Sequence, residues 1–396
     1  MLSRRHILLG SGCTLATLSL RARAETAPDG VTVLRASGAG FDGAAPGPVI
    51  RARRGDEVKV RLANGLEEPM ALHWHGVRLP NAMDSAPPVA PGASFDYRFR
   101  VPDAGTFWYR AALRSQQETG LCGALIVAEP APPTVDQDRL LVFGDRRRDR
   151  DEPRQLTLNG AAPLDIAARP NERLRLRFVN TSAVQAMNAR IEGHRVLVMA
   201  IDGQPAEPFA SRDSRISLGP GNRADVFVDA TLEAGSIAPI TFRSDGAEAP
   251  LARIIYEGSP ARAAPLGDPV PLPDNPLPAR MNFSRALRAT LPIATGEAAA
   301  PTHPAPPLFA AERGRTVVMA LDNRESGERV VHLHGHHFRL LDRLDDGWKP
   351  YWLDTLVAPG RQTSRIAFVA DNPGRWAIEQ NALGGAATAV SWFEVK

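Results

Sequence analysis

Two short runs of this chain, Leu72-His73-Trp74-His75-Gly76 and His332-Leu333-His334-Gly335-His336, hold five of its nine histidines. Alternation of His with an apolar residue on an extended strand points both imidazoles to one face, because strand side chains repeat every two residues. Two such pairs, far apart in sequence, can close on one metal ion if the fold brings their strands together. Imidazole suits copper, zinc, iron or nickel, so the ligand type by itself leaves the metal open.

The elements that must position these pairs are strands. Period-two alternation is clear in Val58-Lys59-Val60-Arg61-Leu62, in Leu174-Arg175-Leu176-Arg177-Phe178 and in Asp225-Val226-Phe227-Val228. Residues 316–321 and 331–334 also read as strands. Thirty-five Pro and 33 Gly, with few long helical patterns, point to short strands joined by turns. A length of 396 residues suggests two or three domains. Three modules are expected, at residues 25–129, 130–257 and 308–396, with residues 258–307 as a Pro-rich extended linker.

The N-terminus, Ser3-Arg4-Arg5 followed by a weakly apolar stretch and Ala22-Arg23-Ala24, reads as a twin-arginine export signal spanning residues 1–24. Its apolar stretch is too short for a membrane anchor. Export of this kind places the protein in the periplasm. The formal charge of +3 comes from the signal: without Arg4, Arg5, Arg21 and Arg23, 43 basic residues face 44 acidic ones. Nucleic-acid binding thereby loses its electrostatic basis. Residues 145–152 interleave four Arg with four acids and read as a solvated loop. Cys122 is the only cysteine beyond the signal, so no intrachain disulfide forms, and its apolar neighbours suggest a buried filler. His194 reads as a surface or structural residue.

Four segments, in order, resemble the multicopper oxidases. They are Asp42-Gly43 with Pro46-Gly47-Pro48-Val49-Ile50, Arg54-Gly55-Asp56 and the His73/His75 pair; then Gly105-Thr106-Phe107-Trp108-Tyr109 with Gly120-Leu121-Cys122-Gly123; then His332 to His336 with Phe338; then Pro373-Gly374-Arg375-Trp376 running to Phe393-Glu394-Val395. The resemblance implies an all-β chain of three consecutive cupredoxin-like Greek-key β-sandwich domains, with a copper cluster in the seam between the first and the third.

The departures are as informative. Where the family continues Trp-Tyr into His-x-His, this chain has Arg110-Ala111-Ala112. Arg329 stands three residues before His332, where the family has His. Where the family has His-Cys-His, this chain has Glu379-Gln380-Asn381, and the further His would fall near Gly385. The resemblance therefore implies that all the type 1 ligands are replaced, and that four of eight cluster histidines remain: His73, His75, His332 and His334. His73 and His332 would form the type 2 pair, while His75 and His334 would each belong to a different type 3 copper. A blue copper site requires a Cys thiolate, so laccase-type electron transfer is not expected. One copper ion at the four histidines is expected, with zinc open on the same ligands; the alternative is a metal-free scaffold or interaction protein, resembling the copper-free cell-division member of the family. Arg110 and Glu379 are expected to form a buried ion pair where copper charge was lost, and Arg329 and Gln380 a hydrogen-bonded polar plug. His336 is expected to pack near the site and His337 to face the other way. Neither a small-molecule substrate nor a protein partner is indicated.

Overall fold

In a computed structural model, the residues described are 25–26, 30–84, 86–146, 154–161, 163–244, 247–293, 306–341, 351–385 and 388–396. The segment expected to be an export signal (residues 1–24), most of the charged loop at 145–152 and part of the Pro-rich stretch lie outside them. Among the described residues no helix is long and apolar enough to cross a membrane.

Six sheets pair into three β-sandwiches, as expected for an all-β chain. Each sandwich closes on its own apolar core. In the first, Leu34, Val60, Leu62 and Phe99 face Leu72, Trp74, Phe107 and Leu125; in the second, Phe143, Leu176 and Phe178 face Met187, Ile240 and Phe242; in the third, Val317, Met319 and Phe368 face Val331, Trp376, Ile378 and Phe393. One pairing recurs in all three. The opening strand runs parallel to a later one: Thr32–Ser37 with Glu57–Asn64, Gln137–Arg146 with Arg173–Asn180, Leu287–Ile293 with Arg315–Asn323. A parallel partner cannot be reached by a hairpin, so its repetition marks one crossed topology used three times.

The third sandwich begins earlier than the sequence suggested. Strand Leu287–Ile293 lies within the stretch assigned to the linker. Leu291 and Ile293 are buried at alternate positions, and Pro292 is tolerated because the strand is at the edge of its sheet. Flanking prolines hid this alternation. The preceding segment is extended yet tied down. Leu272 packs on Leu197, Met199 and Phe227, and Asn275 exchanges hydrogen bonds of 2.8 Å with both the N–H and the carbonyl of Ala104.

One buried group joins all three sandwiches. Arg223, fully buried on strand Arg223–Asp229, donates from Nε to the Thr106 carbonyl of the first sandwich at 3.2 Å. Its Nη1 and Nη2 donate to the Asp354 carboxylate of the third at 2.9 and 2.6 Å. Burial would raise Asp354, yet chiefly the Arg223 charge holds it well below the usual carboxylate range. Gly76 (φ +80°) makes room, since a Cβ there would lie 2.2 Å from Arg223 Nη2. Removing one partner of such a pair costs about 3–5 kcal/mol. Arg223→Met is expected to lower stability by that order in urea unfolding, whereas Arg253→Met, whose pair with Asp165 is exposed, should change it by less than about 1 kcal/mol.

Candidate metal centre in the seam

The seam is built by two strands turned away from their own cores. On Leu72–His75, Leu72 and Trp74 enter the first core, so His73 and His75 point outward. On Arg329–Leu333, Val331 and Leu333 enter the third core, which leaves His332 on the opposite face with His334 just beyond it. The outward faces meet. All four imidazoles are buried, at 2–7% exposure.

Register explains what surrounds them. Arg110 pairs directly across from His73, and Glu379 directly across from His332. The expected ion pair is present, with Arg110 Nη2 2.5 Å from Glu379 Oε2. Glu379 Oε1 lies 3.2 Å from His334 Nε2, close enough for an ion pair but off hydrogen-bond alignment. On its other side, His334 Nδ1 donates to Asp84 Oδ2 at 2.7 Å. Burial would lower His334, but Asp84 and then Glu379 raise it to about 9. Glu379 itself, raised by burial, is held well below its usual range by Arg110 and His334. Arg110, Glu379, His334 and Asp84 thus form a row of alternating charge.

His73 and His332 are different: both are held neutral. Burial first, then the charge of His334, pushes His73 down to about 3; burial is also the largest cause lowering His332. Asp84 is ionised, its carboxyl lowered by His334 and His73 against the effect of burial. It can only accept, so the 2.9 Å contact with His73 Nδ1 requires a proton on that nitrogen. His332 Nδ1 lies 3.0 Å from the Asp354 carbonyl, also a pure acceptor, and 2.9 Å from Thr355 Oγ1, whose hydrogen goes to Asp354 Oδ1 at 2.7 Å. Its Nδ1 therefore also carries the proton. In both rings the remaining lone pair is on Nε2, and the two Nε2 atoms face each other at 3.0 Å. Two lone pairs at that distance repel unless a cation lies between them.

The four candidate ligands do not meet at one point. His73, His332 and His334 each offer a nitrogen within 4.8 Å of the others; His75 falls in a second group with His332 and Asp354. His75 stacks on His332, with centroids 3.7 Å apart and planes 13° from parallel. Its Nε2 lies 3.0 Å from Thr355 Oγ1, and its Nδ1 is buried without a hydrogen-bond partner. The Gly221 turn of the second sandwich holds it there, since a Cβ at Gly221 (φ +87°) would lie 2.7 Å from the ring.

Asp84, Asp354 and Thr355 were not singled out from sequence. Asp84, ending the short helix Asn81–Asp84, has no spacing that ties it to a histidine nine or more residues away. His336 turns into the third core against Trp376 and Phe393. His337 faces away from His73 but is not remote from the network: its Nε2 is 3.5 Å from Asp354 Oδ2. His194 is buried and structural, with Nδ1 2.6 Å from the Glu192 carbonyl. Cys122 is buried beside Trp108, Val142 and Val179, and burial raises its thiol to about 11. The expected plug is not bonded: Gln380 Nε2 donates to Ser391 Oγ at 3.2 Å and its Oε1 has no partner, while Arg329 makes no bond to it.

Family models described as multicopper oxidase match residues 22–132, 108–236 and 272–381. A solved structure titled Lac15, from a marine microbial metagenome, is 32% identical, covers 92% of this chain and 98% of its own, and superposes with a TM-score of 0.76. The chain belongs to the multicopper oxidase family. Multicopper oxidase MmcO of Mycobacterium tuberculosis is 28% identical over 88% of this chain and 82% of its own length. Copper resistance protein A of Pseudomonas syringae pv. tomato is 28% identical over 62% of this chain, which spans about half (51%) of that relative. Membership implies copper, and the residues present can be tested for fit. At metal–nitrogen bonds of about 2.0–2.1 Å, nitrogens 3.0 Å apart subtend roughly 90–100° at a shared ion, suited to adjacent ligand positions. The facing Nε2 lone pairs fit one ion, and His75 stands outside it.

Two measurements check this electrostatic account. Arg110→Met alone is expected to cost about 3–5 kcal/mol, and Arg110→Met with Glu379→Leu to recover most of the loss; additive losses would contradict the pairing. A histidine protonated in the folded protein but with a pKa near 6.5 when unfolded adds stability below that pH, and this is lost as pH rises toward 9. Copper-free protein should therefore lose stability between pH 6.5 and 9, and His334→Gln should flatten that slope.

Proposed function

We propose that this protein is exported through the twin-arginine route and binds a single copper ion in the periplasm, at a residual type 2-like site formed by His73 and His332 through Nε2. The observation that carries the reading is the pair of facing, unprotonated Nε2 atoms 3.0 Å apart in two neutral rings. Asp84 and the Asp354 carbonyl act from the outer side of these rings, fixing the tautomer that leaves each Nε2 free. His334 is the third ligand once its proton leaves, because its Nε2 has no aligned hydrogen bond to give up.

Copper bound here supplies a one-electron centre with imidazole ligands and no thiolate. Arg329, Gln380 and Gly385 stand where the family pattern has its type 1 ligands, so the site is degenerate and lacks a port for electrons from a phenolic donor. Arg110 and Glu379 occupy positions opposite His73 and His332 where the family places further ligands. Copper binding without laccase turnover accords with a family that includes copper resistance proteins.

Copper titration of the purified protein followed by metal analysis and paramagnetic resonance tests the proposal. One Cu(II) per chain is expected, with a weak type 2 signal, no intense thiolate-to-copper band and no phenol oxidation. His73→Asn and His332→Asn should each abolish stoichiometric binding, and His75→Asn should retain it. A wild-type protein that takes up no copper would favour the metal-free scaffold, and an intense blue band would overturn the loss of the type 1 centre.

A further inference from the structure

Exposure rises along a single row of the third sandwich. Thr355, His332, Glu379 and Val390 are direct neighbours across four adjacent strands, so they share the face turned to the seam. Thr355 and His332 are buried, at 1% and 2% exposure; the Glu379 side chain is 16% exposed and Val390 46%. The first sandwich opens beside the same point. Arg110 is buried, but Ala112, two positions on, is exposed. The Arg110 Nη1 bond to the Ala112 carbonyl, at 3.3 Å, places that residue next to the guanidinium. The seam therefore meets solvent between Ala112 and Val390, with Glu379 just inside.

The opposite end is closed. His75 is stacked against His332 and packed on Trp108, the Gly221 turn leaves no space beside its ring, and the Arg223–Asp354 pair lies fully buried behind it. Glu379 uses its two oxygens differently. Oε2 accepts from Arg110 Nη2 at 2.5 Å, while Oε1 faces His334 Nε2 at 3.2 Å. His334 in turn offers a nitrogen within 4.8 Å of nitrogens of His73 and His332. A carboxylate oxygen, one imidazole and then the facing pair thus lead inward from the surface, each donor within reach of the next.

We propose that Glu379 is the entry ligand of the seam: its Oε1 captures the incoming cupric ion, and His334 passes it to His73 and His332. This role rests on the reading of His73 and His332 as the copper pair. A negative charge at the rim of a cleft concentrates cations there and raises their association rate, without adding a ligand to the final site. Arg110 holds the carboxylate by its other oxygen and so keeps Oε1 turned toward His334.

The test is stopped-flow uptake of Cu(II) by the full chain, read by quenching of tryptophan fluorescence. Release is read by a chelator chase, and stoichiometry by metal analysis. Glu379→Gln should keep one copper per chain while slowing uptake and release several-fold. Ala112→Trp, at an exposed position, should slow both rates by a similar factor with affinity unchanged. Glu248→Gln, which removes an equal charge from an exposed strand position of the second sandwich, should match wild type. Wild-type rates in Glu379→Gln, with one copper still bound, would overturn the entry role and leave the copper pair standing. Loss of stoichiometric binding in Glu379→Gln would make Glu379 a resident ligand, which also overturns it. A wild-type chain that takes up no copper removes the copper pair and the entry role together. Should Glu379→Gln fail to fold with Arg110 unpaired, the double variant Arg110→Met with Glu379→Leu takes its place, and the same slowing is expected.

Discussion

The bidentate contact between Arg223 and Asp354 sets the geometry of the seam. It is fully buried and joins the second sandwich to the third, while the Arg223 Nε reaches the first. With Asp354 fixed as an anion, Thr355 must give its hydroxyl hydrogen to that carboxylate. The hydroxyl oxygen and the Asp354 carbonyl then accept from His332 Nδ1. The free lone pair of His332 is thereby turned toward His73. Asp84 does the same for His73 from the first sandwich. The Arg223–Asp354 contact thus decides which nitrogens face each other in the seam.

Beside this pair the chain has a charge-balanced row: Arg110, Glu379, His334 and Asp84 alternate in sign and are mutually in contact. Such a row removes the need for the metal charges that the family pattern places nearby. It also limits what can bind. A second or third ion would meet the Arg110 guanidinium, whereas one ion between His73 and His332 would displace only the proton of His334.

Much of the fold was legible because half-buried strands write their period directly into sequence, and the His-x-His runs are strands of that kind. The His73–His332 approach followed from the same periodicity with the family resemblance. Three features were not legible. The separation of His75 depends on the Gly221 turn in another sandwich. Asp84 and Asp354 act through bonds to residues distant in sequence, 250 positions in the case of His334. Strand Leu287–Ile293 is masked in sequence by Pro292 and the prolines around it, although an edge strand accommodates a proline without losing a ladder bond.

The central claim is that one copper ion bridges His73 and His332 in the seam. Diffraction from copper-loaded crystals, collected on both sides of the copper absorption edge, addresses it directly. The account predicts one anomalous peak about 2.0–2.1 Å from both Nε2 atoms, with none at Arg329, Gln380 or Gly385. Absence of density between the two rings, or a peak coordinated by His75 and Asp354 instead, would contradict it.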